Sequence, residues 1–104
     1  MSDALRLLKL TPAAERDLED IWVYTAETWG AVQAERYLDD IGAVFERLTA
    51  FPEMARLRPE FTPPVRIHPT GRHLVIYVVT EDSIEVLRVL GARQDWVGML
   101  AALD

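Results

Sequence analysis

The side chains able to do chemistry concentrate in the second half of this chain. Arg56, Arg58, Arg66, His68, Arg72, His73, Arg88 and Arg93 form a run of cationic or titratable groups. Arginines of this kind stabilise a phosphoryl transition state or pair with carboxylates of a bound protein. With neither role they are the solvated ends of strands. The stretch RVLGARQDW, Arg88 to Trp96, puts two of them at the exit of an apolar run. Carboxylate pairs for acid–base work occur at Asp39 with Asp40, and at Asp17 with Glu19 and Asp20, on helical patterns whose other side is apolar, so they read as a solvated face. His68 and His73 are the only histidines and no acidic ligand stands nearby, so no metal site is expected. Cysteine is absent, which removes a thiol nucleophile, disulfides and zinc–cysteine sites. Ser2 and Ser83 sit in no nucleophile elbow, and no glycine-rich loop cradles a phosphate. No cofactor is expected.

Charge narrows the partners. The net charge is −6, against a surface that grips phosphate backbones all over. Residues 1–53 carry 5 basic and 11 acidic side chains, whereas residues 54–104 carry 6 of each. Within 56–73, Arg56, Arg58, Arg66 and Arg72 stand against Glu60 alone, with His68 and His73 beside them, so an anionic contact belongs there.

These residues must be positioned by one domain spanning 1–104, since the chain is too short for two. No stretch approaches the roughly 18 apolar residues of a membrane span, and MSDALRLLKL lacks the pattern of a signal peptide; a cytoplasmic protein with no membrane partner is expected. Leu5, Leu7, Leu8 and Leu10 predict a first strand, ended by Thr11 as N-cap and Pro12 at the first helical position. Ala14, Leu18, Ile21, Trp22, Thr25 and Trp29 then follow helical spacing, with Trp22 assigned to the core, until Gly30. Ala34, Tyr37, Leu38, Ile41, Val44, Phe45 and Leu48 predict a second helix, antiparallel to the first, ending before Pro52. The stretch 52–64, with four prolines, reads as an ordered loop. Val65 to His68 is a brief strand, Pro69 to Gly71 a turn, Leu74 to Val79 a central strand, and Ile84 to Leu90 its hairpin partner. The fold class is α+β: a helical hairpin on one face of a small, mostly antiparallel sheet in the order β-α-α-β-β-β, with a short helix possible over Trp96 to Leu103. The other sheet face is less covered, with Trp96 as partial shield.

The segments LTPAAERDLEDIWVYTAETWG (Leu10 to Gly30), FPEMARLRPEF (Phe51 to Phe61), GRHLVIY (Gly71 to Tyr77) and VLRVLGARQDW (ending at Trp96) resemble, in order, the ParE-type plasmid-stabilisation toxins of the RelE/ParE superfamily. The resemblance implies a toxin that poisons DNA gyrase by protein contact, not catalysis. It also implies silencing by a ParD-like antitoxin, a ribbon-helix-helix protein with a C-terminal toxin-binding segment, so that DNA is met only through the antitoxin. The expected target surface is Arg88, Arg93 and Trp96. The expected antitoxin surface is Trp29, Tyr37, Arg56, Arg58 and Arg72. Relatives of the RelE type instead cut messenger RNA on the ribosome; that alternative gives His68 the acid–base role and Arg66, Arg72 and Arg93 the phosphate. Those nucleases keep a tyrosine in the C-terminal segment, where this chain has Met99, and Gly91 stands where many ParE-like chains carry a histidine. The acidic charge also suits a protein target better than ribosomal RNA.

Overall fold

The computed structural model describes residues 6–101. A strand β1 (Leu7–Leu10) leads into helices α1 (Pro12–Trp29) and α2 (Ala31–Ala50), followed by strands β2 (Leu57–Arg58), β3 (Val65–Thr70), β4 (His73–Val79) and β5 (Ser83–Gly91) and a short helix α3 (Trp96–Ala101). Leu5, and the part of the expected C-terminal helix beyond Ala101, lie outside the described residues. No helix among the described residues is long and apolar enough to cross a membrane.

Local chemistry explains the helix boundaries. The Thr11 hydroxyl accepts the Ala14 N–H at 3.0 Å and Pro12 fills the first helical position, where its missing N–H costs nothing. Gly30 separates the helices at φ +98°, a backbone conformation that side chains disfavour. The second helix ends at Phe51, before Pro52.

The sheet order is β1-β5-β4-β3-β2, with β1 parallel to β5 and every other pair antiparallel. The expected first strand is present and pairs with β5, and one short strand is added to the expected sheet: β2, cut from the proline-rich stretch read as a loop. The turn between β3 and β4 is tighter than expected, since Pro69 and Thr70 still pair with Leu74 and His73. Cores form on both faces. Ile21, Ile41, Val44, Phe45 and Leu48 of the hairpin pack on Val75, Tyr77, Ile84, Val86 and Val89. On the other face Val65, Ile76, Leu90 and Leu100 form a second cluster, covered by Phe61 and Trp96, whose rings lie 5.9 Å apart. Trp22 is not core: it is 37% exposed, because Ile21, one residue and about 100° round the helix, takes the inward position.

Candidate functional site

Two neighbouring strands of unequal length create the site. β1 ends where Leu10 pairs with Val86, and β5 runs on to Gly91 with no strand outside it among the described residues. A bulge interrupts the β4–β5 register, since Ile76 pairs with Arg88 but Tyr77 with Val86. The extra residue reverses which groups point outward. It explains why Val86 and Val89, three apart, share the helix-facing core while Leu87 and Leu90 share the opposite one. The outward N–H groups beyond the bulge are met by side chains: Val89 N donates to Asp17 Oδ2 at 2.9 Å and Gly91 N to Gln94 Oε1 at 2.8 Å. The Leu87 carbonyl accepts the Thr11 hydroxyl at 2.7 Å. This open edge is the floor of a cleft of about 810 Å³, walled by Asp20 and Tyr24 of α1, by Arg72 at the β3–β4 turn, and by Arg93 and Met99.

Two internal pairings set its electrostatics. Arg88 binds Asp17 through both nitrogens, Nε to Oδ2 and Nη2 to Oδ1, each at 2.8 Å. The side chains are only 18% and 12% exposed, and the hydrogen bonds to Asp17 raise the Arg88 pKa above its usual value, against the opposing effect of burial. At the cleft's other end the Tyr37 hydroxyl shares a hydrogen bond with His73 Nδ1 at 2.6 Å and accepts the Arg72 N–H at 3.0 Å. Burial pushes the His73 pKa below its usual 6.5, against the Asp17 carboxylate, which raises it. Gly71 makes the approach possible: its φ is +59°, and a Cβ there would lie 2.7 Å from the Tyr37 ring and hydroxyl. Arg72 and Arg93 remain exposed on the rim, one residue apart across the Ala92 N to Arg72 O hydrogen bond of 2.9 Å.

The expected site residues distribute unevenly over this geometry. Of the target set, Arg93 is exposed on the cleft rim, but Arg88 is no free cation because Asp17 claims its guanidinium, and Trp96 packs on Phe61 over the second core. Asp17 itself belongs to no solvated face. Of the antitoxin set, Trp29 is 62% exposed and Arg56 and Arg72 are exposed, whereas Arg58 pairs with Glu60 at 2.8 Å and Tyr37 is half-buried against the turn. Of the alternative nuclease set, Arg72 and Arg93 share the cleft but Arg66 and His68 do not line it. Arg66 donates to the Ala55 carbonyl at 2.6 Å. His68 pairs with Val75, whose side chain faces the helices, and its Nδ1 is buried without a partner. No cluster of three or more His, Asp or Glu among the described residues could hold a metal ion. Sequence reasoning missed Asp17, Tyr24, His73 and Gln94 as parts of one cleft; the nearest available signal was the helical spacing of Asp17, Asp20 and Tyr24, which share one flank of α1.

Residues 8–96 match the family described as ParE toxin of type II toxin-antitoxin system, parDE. The chain is 41% identical over 87 residues to Toxin ParE1 of Mycobacterium tuberculosis, covering 83% of this chain and 89% of the relative. It is 33% identical over 82 residues to Toxin ParE1 of Caulobacter vibrioides, covering 79% and 84%. Its fold superposes with a TM-score of 0.72 on a chain of the chromosomal ParDE TA system from P. aeruginosa, at 24% identity and covering 84% of this chain and 96% of that one. The chain belongs to the ParE toxin family of type II toxin–antitoxin systems.

Proposed function

We propose that this toxin acts by binding DNA gyrase, without catalysing a reaction of its own, and that a ParD-like ribbon-helix-helix antitoxin silences it. The observation that carries this reading is the family match over residues 8–96, which takes in every cleft-lining residue except Met99. The geometry adds support. The Arg88 and His73 side chains are tied to Asp17 and Tyr37, so the cleft offers Arg72 and Arg93 as a contact surface on a chain of net charge −6. A nuclease reading needs His68 and Arg93 on one phosphate, and only Arg93 lines the cleft. Exposed Trp29 and Arg56 are the proposed antitoxin contacts outside the cleft, and DNA is met only through the antitoxin.

Purified toxin added to a gyrase supercoiling reaction should block supercoiling or leave cleaved DNA, and prior mixing with the antitoxin should restore the reaction. Inertness at high concentration against gyrase, with messenger RNA cut on ribosomes, would reverse the reading.

A further inference from the structure

We propose that the cleft is a strand-docking slot: an extended peptide segment bearing a carboxylate adds to the outer edge of β5 at Val89–Gly91, in line with β1, and places that carboxylate between Arg72 and Arg93. The proposal deepens the functional reading by naming the chemistry of the partner, and rests on that reading only for the partner's biological identity.

The backbone carries the argument. Beyond Leu10 the edge of β5 is an interrupted ladder, and its two outward N–H donors are satisfied by side chains from α1 and from the turn after β5. Val89 and Gly91 are two residues apart on one edge, the repeat at which an added strand supplies carbonyl acceptors. Exchanging the Gln94 amide oxygen for a main-chain carbonyl changes little in net hydrogen-bond energy, so that plug covers the edge without closing it, whereas the Asp17 carboxylate is the stronger acceptor. Gln94 is the weaker plug. It is exposed, its turn is short, and its amide rests on Gly91, which has no side chain to hold it away. Asp17 keeps its bidentate hold on Arg88 even if the Val89 N–H turns to a newcomer.

Charge selects the occupant. Neither Arg72 nor Arg93 has a carboxylate within 4.0 Å among the described residues, and both line the cleft, where the Ala92 N–H next to Arg93 donates to the Arg72 carbonyl. Two such guanidinium groups suit one carboxylate. Asp20 stands on the facing wall, beside Asp17, whose charge Arg88 already takes up. The Asp20 charge opposes a continuous phosphate backbone, whereas a peptide strand alternates its side chains and needs only one anionic group beside the arginines.

The test uses the full chain, labelled with nitrogen-15, and two blocked hexapeptides: one alternating valine and glutamate, the other valine and lysine. The glutamate peptide should shift the Val89 and Gly91 amides and slow their hydrogen exchange, while the lysine peptide leaves them unmoved. Gln94→Ala removes the weaker plug and should tighten binding about fivefold. Adding Gly91→Pro to that variant deletes an edge donor that faces away from β4 and should abolish binding, with circular dichroism and urea unfolding reporting an intact fold. Equal binding of both peptides, shifts confined to other residues, or no binding at millimolar peptide would overturn the proposal, as would displacement of the peptide from these amides by an oligodeoxynucleotide. Gyrase does not enter the experiment: a chain inert on gyrase that binds the peptide loses the proposed function and keeps the slot, and the converse result removes the slot alone.

Discussion

Replacing Asp17 with alanine removes three hydrogen bonds at once: two to the Arg88 guanidinium and one from the Val89 N–H, all between 2.8 and 2.9 Å. The guanidinium keeps its partly buried position and loses its counter-charge, and the edge of β5 loses an acceptor. Breaking a fully buried pair costs 3–5 kcal/mol; the 12–18% exposure here points to the low end, about 3 kcal/mol. That is a large share of the 5–15 kcal/mol that holds a domain of this size, and corresponds to a drop of about 12 °C in Tm. Urea unfolding followed by tryptophan fluorescence reads it directly. Asp17→Asn, which keeps an oxygen for the Val89 N–H but no charge, should lose about 1–2 kcal/mol. Combining Asp17→Ala with Arg88→Met should cost less than the two single changes added, with a coupling of about 2 kcal/mol. A loss under about 0.5 kcal/mol for Asp17→Ala, the range of exposed ion pairs, would mean that the pair does not join α1 to β5 as argued.

The remaining predictions are smaller. His73 has a folded pKa below 6.5, so as pH falls the unfolded chain takes up the proton first; stability is complete above about pH 6.5 and declines below it, a slope in thermal melts that His73→Gln should flatten. Gly71→Ala meets both a positive φ and the Tyr37 ring, and should lose about 2–4 kcal/mol in urea, whereas Gly42→Ala, in a helix with open space around it, should be neutral or stabilising. Trp29→Ala should change stability by less than about 0.5 kcal/mol yet weaken antitoxin binding about tenfold in calorimetry. If both Trp29→Ala and Arg56→Glu leave antitoxin affinity unchanged, the proposed antitoxin surface is wrong.

What could be read from the sequence was local. Thr11-Pro12, the helical spacing from Ala14 to Leu48, the Pro52 stop and the apolar run at 74–79 each depend on neighbours in the chain, and the helical hairpin on a mostly antiparallel sheet follows from them. The site depends on partners far apart. Asp17 and Arg88 are 71 residues apart and Tyr37 and His73 36 apart, so a carboxylate that looks solvated on a helical wheel is claimed by a strand end, and an aromatic that looks exposed at a helix flank braces a turn. Parity along 84–90 predicts Arg88 on one face with Val86 and Leu90; the bulge at Val86–Arg88 leaves Val86 on the helix-facing core and Leu90 on the other. Trp22 shows the limit of a period of 3.6, since adjacent apolar residues at 21 and 22 cannot both point inward and the pattern does not say which will.

Comparing two variants in the gyrase supercoiling reaction tests most directly whether the toxin works by contact from the cleft rim. Arg93→Glu should lose inhibition while remaining folded by circular dichroism, and His68→Ala should inhibit like the unaltered chain. Full inhibition by Arg93→Glu, or loss of toxicity in His68→Ala together with loss of messenger RNA cleavage on ribosomes, would contradict that account.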